Sequence, residues 1–296
     1  MEFAPPEHLV RAQRATAPGW LDDLPALAAR TAERWRLTPE RVIAPGGRTS
    51  MTVLVRTADG VPAVLKLTAP GRSAPLEDAA LRTWDGLGAV RPLRLDADAG
   101  ALLLERLSPA TSLRSLADAK ATLEAVSVLR RLWVAPVAGH PFPDVAELTG
   151  AQTELMRSAV PHEAAPLVEA ALTARAGLLA GAPEAVLLHG DFRQGAVLAA
   201  ATDRAHWLAV GPDPLVGERA YDLARLVRDR LHDLVASPGA AAATRRRVTR
   251  LAGSVELDPE RLRGWALFRA VAAAARAYAA KRDGAAEHLL EFATWL

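Results

Sequence analysis

Strand-like and helical patterns are segregated along this chain, and one short strand-like island returns late inside the helical part. Arg41–Ala44, Ser50–Thr57 and Val61–Leu67 are short apolar or β-branched runs separated by Pro45-Gly-Gly47 and Ala58-Asp-Gly60, which is turn chemistry and predicts a three-stranded antiparallel meander. A helix is expected over Pro75–Trp84, then strands over Ala89–Leu95 and Ala101–Leu107. From there the period changes to that of helices, over about 111–134, 143–158, 162–180, 218–235, 240–253, 259–280 and 284–295. Trp20, Leu24, Leu27, Thr31 and Trp35 recur at helical spacing, so a leading helix over 18–36 opens the chain. Sheet first and helices after predicts a bilobal α+β protein, with lobes 1–107 and 108–296. A β-island over 186–217 interrupts the second lobe.

The island carries the most chemical promise. Val186-Leu-Leu188 delivers His189, Gly190 and Asp191 into a loop, and an apolar run resumes at Val197. An Asp at the end of a buried strand can accept the proton of an incoming hydroxyl, and it can equally satisfy the backbone of a turn. Lys66 lies in Ala-Val-Leu-Lys-Leu on the strand face it shares with Val64, in a chain with only three lysines. It reads as an ammonium for a phosphate or as a strand lysine snorkelling at an edge. Glu77, eleven residues on, opens the following helix, where a carboxylate is also favoured by the helix dipole. Gly46 and Gly47 lie in a turn that could either approach a phosphate with its amides or simply reverse the chain.

Taken in order, Lys66 in A-V-L-K-L, E-D-A-A-L-R-T-W-D-G from Glu77, L-L-L-E-R-L from Leu102, H-G-D-F from His189 and P-L-V-G-E-R-A-Y-D-L-A from Pro214 resemble the aminoglycoside phosphotransferases, and among them the streptomycin and hydroxyurea kinases. The resemblance implies a protein-kinase-like bilobal fold with a five-stranded antiparallel sheet and one helix in the first lobe, and a mainly helical second lobe. It implies ATP near Leu102–Leu107, with Lys66, Glu77, Gly46, Gly47 and Glu105 binding the cofactor. It further implies catalysis through Asp191 as base beside His189, and a small hydroxylated antibiotic-like acceptor.

Two departures cut against full activity. The family motif H-G-D-L-H-x-G-N-V-L carries a metal-binding Asn where this chain has Ala196, and the metal-binding Asp of the family's I-D-P-K segment aligns with Gly211. Neither side chain offers an oxygen to Mg2+. Asp213 could substitute if the loop shifted by two residues, a shift that Pro212 and Pro214 oppose. The expectation is an impaired phosphotransferase without a metal site, with a pseudokinase that binds a nucleotide, metabolite or protein partner as the alternative.

Other classes are excluded by composition. The chain has no cysteine, hence no disulfide, thiolate metal site or thiol nucleophile. Its formal charge of +2 and a single local Arg245-Arg-Arg247 run argue against nucleic acid. Arg269 and Arg276 interrupt the apolar stretch from Ala266 to Ala280, so no membrane span is expected, and a cytoplasmic protein is the resulting expectation.

Overall fold

A computed structural model describes residues 3–236 and 238–296. The chain divides into two compact units, Met1–Leu116 with Val197–Asp213, and Ala117–Ala196 with Pro214–Leu296.

The first unit begins with α1 (Glu7–Gln13), which the sequence pattern did not predict, and α2 (Pro18–Arg34). Five antiparallel strands follow, β1 (Thr38–Val42), β2 (Ser50–Arg56), β3 (Pro62–Thr68), β4 (Pro92–Asp96) and β5 (Ala101–Glu105), in the order β1-β2-β3-β5-β4. The period-2 alternation explains which face is dry. Met51, Val53 and Val55 of β2 and Ala63, Leu65 and Leu67 of β3 are fully buried and share a core with Leu21, Leu24 and Ala28 of α2. Lys66 therefore projects from the other face, paired in register with Thr52 and Leu102. Helix α3 (Ala74–Trp84) is inserted between β3 and β4; Ser73 caps it by accepting the Leu76 N–H at 3.2 Å.

The expected helix over 111–134 starts later than its pattern suggested. Ser108–Ser112 forms a strand, β6, a 3-10 turn spans Leu113–Ser115, and α4 runs from Asp118 to Leu132. Strand β6 is claimed by a partner far along the chain: it pairs with β8 (Val197–Thr202), which pairs with β9 (Ala205–Ala209). Such a pairing leaves no local signal. The Val90 N–H donates to the Ala209 carbonyl at 2.9 Å and the Ala209 N–H to the Gly88 carbonyl at 2.8 Å, which ties the end of β9 to the turn after α3.

In the second unit α4, α5 (Val145–Ala159), α6 (Ala165–Ala180), α7 (Arg219–Val227), α8 (Leu231–Val235), α9 (Ala240–Ser254) and α11 (Asp283–Thr294) accompany the long helix α10 (Pro259–Ala279). Asp258 caps α10 by accepting the Glu260 N–H at 2.9 Å, with Pro259 at its first position. Its alanines let neighbours approach closely: Ala266, Ala270, Ala272, Ala274 and Ala275 are buried, and α10 packs against α5, α6, α7, α9 and α11. The single helix expected over 218–235 is two, because Arg230 adopts a left-handed backbone (φ 57°) between α7 and α8. Two short strands, β7 (Val186–Leu188) and β10 (Leu215–Gly217), pair antiparallel, the second of them unforeseen. Among the described residues no helix is long and apolar enough to cross a membrane. Arg247, part of the basic run, turns inward to Asp118 at 2.5 Å and to the Asp229 carbonyl at 2.7 Å.

Candidate active site

Lys66 and Glu77 meet. Lys66 Nζ lies 2.5 Å from Glu77 Oε2, with the two side chains only 14% and 4% exposed. Strand alternation aims the lysine at α3, and the cap at Ser73 fixes the first turn so that Glu77 faces it. The remaining Glu77 oxygen, Oε1, is buried without a hydrogen-bond donor. A dry carboxylate of this kind anchors the ammonium.

Gly211 follows β9 and lies against this pair: a Cβ added there would stand 4.0 Å from Lys66 Nζ. Its φ of +65° is a conformation that suits glycine and that Asn and Asp tolerate better than other residues. Asp213 is occupied elsewhere, in an ion pair with Arg72. Gly46, at φ +70°, has no room for a side chain, since a Cβ would come within 2.9 Å of Pro6; Gly47 has only ordinary contacts around it. Glu105 is held by its own neighbours. Its Oε1 accepts the Arg91 N–H at 3.0 Å and pairs with Arg204.

In the second unit the His189-Gly-Asp191 loop is fastened by residues distant in sequence. Asp222, fully buried in the first turns of α7, accepts the His189 N–H and the Gly190 N–H, each at 2.8 Å, one on each carboxylate oxygen. Trp133 Nε1 approaches the same carboxylate at 3.4 Å. Arg269 of α10 donates to the Gly190 carbonyl at 2.7 Å and the Tyr221 carbonyl at 2.9 Å, with its guanidinium 4.3 Å from the centre of the Tyr221 ring. Burial raises the Asp222 carboxyl above its ordinary value despite the hydrogen bonds from His189 and Gly190 and the charge of Arg269. The residue that breaks the apolar run of α10 is thus the one that clamps the loop. His189 is wholly buried, its ring meeting Phe192 edge-on at 5.4 Å.

Asp191 keeps 33% of its side chain exposed and faces two guanidiniums, Arg193 Nη1 and Arg225 Nε, each at 3.6 Å. Burial pushes its carboxyl up, but Arg193, Arg225, Arg269 and His189 outweigh that and hold it below the ordinary value. Beyond it, a 3-10 turn over Gln194–Ala196 is pinned by the Gln194 N–H donating to Asp229 at 2.6 Å and by Gln194 Nε2 donating to Asp118 at 3.2 Å. Ala196 is buried at 5% exposure.

Positions 196 and 211 bear no side-chain oxygen and Asp213 is paired with Arg72. Among the described residues no group of three or more His, Asp or Glu side chains could hold a metal ion. Lys66 is anchored by Glu77 and mostly buried.

A lysine on the third strand of an antiparallel sheet, paired with a glutamate on the inserted helix, and an Asp loop fastened from a later helix define a kinase-like protein. The chain belongs to the aminoglycoside/hydroxyurea antibiotic resistance kinase family, whose model matches residues 34–284. It is 34% identical over 253 residues to streptomycin 6-kinase of Streptomyces glaucescens, covering 84% of this chain and 81% of the relative. It is 34% identical over 263 residues to hydroxyurea phosphotransferase of Kitasatospora aureofaciens, covering 85% and 72%. The fold matches the ternary complex of a thermostable mutant of aminoglycoside phosphotransferase APH(4)-Ia with ADP and hygromycin B at TM-score 0.61 and 15% identity, covering 89% and 97%. It also matches a choline/ethanolamine kinase family protein from Mesorhizobium loti at TM-score 0.62 and 17% identity, covering 91% and 97%. The protein-kinase-like α+β fold expected from the sequence is therefore the fold of this family.

Sequence reasoning missed Arg193, Arg225 and Arg269 around Asp191, and gave Tyr221-Asp-Leu-Ala224 no role beyond support for the assignment. The only signal was a buried-looking Asp opening an amphipathic helix about thirty residues after the loop.

Proposed function

We propose that the chain is an ATP-dependent O-phosphotransferase of the streptomycin and hydroxyurea kinase type whose transfer step is impaired. ATP would supply the phosphoryl group. Lys66, held by Glu77, binds its phosphates with Gly46 and Gly47 nearby in sequence to β2, and Asp191, presented by the loop that Asp222 and Arg269 fasten, orients and deprotonates the acceptor hydroxyl beside His189. The observation that carries the impairment is the absence of any side-chain oxygen at Ala196 and Gly211, with Asp213 engaged by Arg72. Loss of one preorganised electrostatic group lowers a rate by about 10²–10³. Two that act as a unit need not multiply.

Asp191 itself favours a second reading, a pseudokinase that binds a nucleotide, a small metabolite or a protein partner without turnover. Its arginine-flanked carboxylate sits below the ordinary value, which weakens it as a base. The two readings separate in an ATP turnover assay with streptomycin and with hydroxyurea as acceptor. The impaired enzyme shows slow phosphorylation that Asp191→Ala abolishes; the pseudokinase shows none. Restoring Ala196→Asn together with Gly211→Asp should create magnesium-dependent nucleotide binding in a thermal-shift titration, and an unchanged titration would reject the assignment of those two positions as the lost metal ligands.

A further inference from the structure

Three guanidinium nitrogens, Arg193 Nη1 and Arg225 Nε beside Asp191 and Arg228 Nε at the C-terminal end of α7, are buried without a hydrogen-bond acceptor among the described residues. Unmet buried donors are rare, and each calls for a partner. The nearest carboxylate cannot fill that role. Its contacts to Arg193 and Arg225 are 3.6 Å, inside ion-pair range and outside hydrogen-bond range, and the Arg225 contact to Asp229 is 3.7 Å. Among the described residues no carboxylate pairs with Arg228; burial lowers its guanidinium well below the ordinary value, and Arg225, Arg269 and Arg276 press the same way while Asp191 opposes them. Arg269 is committed to the loop carbonyls, so it adds charge without adding a free donor. Arg193 also takes the place of the second histidine in the family's H-G-D-L-H motif, three residues before the position where the metal-binding Asn has become Ala196. A permanent cation has entered the same short loop from which a metal ligand has gone.

We propose that Arg193, Arg225 and Arg228 form an oxyanion site for a phosphate group, one that works without a divalent cation. Guanidinium N–H groups bind phosphate oxygens directly and, unlike a carboxylate-held metal, need no intervening ion. Arg193 is 41% exposed and gives solvent access, while Arg225, at 20%, lies deeper. Phosphate binding here does not depend on phosphotransfer. The group could be the terminal phosphate of a nucleotide or a phosphate carried by the acceptor.

Isothermal titration calorimetry of the whole chain with tripolyphosphate in EDTA should give saturable binding. Arg193→Gln and Arg228→Gln should each weaken it about tenfold or more, while Arg11→Gln, at an exposed side chain on α1, leaves it unchanged. Arg193→Gln keeps the test alive if the more enclosed Arg228→Gln does not fold. Displacement of bound tripolyphosphate by ATP assigns the site to a nucleotide; failure of ATP to displace it assigns the site to a phosphate on the acceptor. No saturable binding in EDTA, binding that appears only when magnesium is added, or equal weakening by all three substitutions overturns the proposal.

Discussion

Two carboxylates sit beside cations in this protein, and they are built in opposite ways. Glu77 is nearly sealed and has one close partner, Lys66, at 2.5 Å. Asp191 is a third open and shares its charge with Arg193 and Arg225 at 3.6 Å, in a loop whose geometry is set by other residues altogether. The first arrangement depends on one strand and the helix after it. The second depends on α7, α10 and the loop meeting, so it can be rewired by substitutions far apart in sequence while the fold stays intact.

The largest expected effect tests the sealed pair. Lys66→Met leaves the Glu77 carboxylate buried and uncompensated, and should cost about 3–5 kcal/mol in urea denaturation. Lys66→Met with Glu77→Leu should recover most of that loss, because two apolar groups of similar volume replace the pair. Failure of the double variant to recover would show that the pair is not the dry, isolated unit described here.

Next comes the fastening of the Asp191 loop. Asp222→Ala orphans the His189 and Gly190 N–H groups and should destabilise the protein by about 3 kcal/mol, at roughly 1–3 for each buried donor left unmet. Asp222→Asn keeps one acceptor oxygen and should lose about half as much by calorimetry. Equal losses from both would mean that charge, not hydrogen-bond geometry, holds the loop.

The smallest effect concerns Asp191 itself. Asp191→Asn should cost about 1 kcal/mol at neutral pH, since the carboxylate is partly solvent-screened. Its folded-state pKa is lowered, so its contribution is present above the unfolded-state value and disappears as pH falls through the folded one. The gap between wild type and Asp191→Asn, followed by urea midpoints from neutral pH downwards, should therefore close in acid. A gap that persists there would dissociate it from Asp191 ionisation.

Much of this was legible in the chain. The Lys66–Glu77 pair follows from alternation on β3 and the position of Glu77 at a helix start, both local patterns. Leading helix α2 was read from the spacing of its apolar residues in the same way. Strands β6 and β10 and the break at Arg230 were not, because β6 takes its partner about ninety residues on and the break is a single left-handed residue in an otherwise continuous helical pattern. Glu105, expected from the resemblance to bind a nucleotide, has its carboxylate engaged by Arg204 and the Arg91 N–H, contacts with no local signal in the sequence.

The sequence by itself determined the order of sheet and helices, the strand-delivered His189-Gly-Asp191 loop and the missing oxygens at Ala196 and Gly211, since each is a matter of residue type and short-range period. Only the tertiary structure decided what surrounds Asp191. Arg225 and Arg269 stand 34 and 78 residues away from it along the chain, and what they do to its charge depends on separations that exist only once the helices have packed.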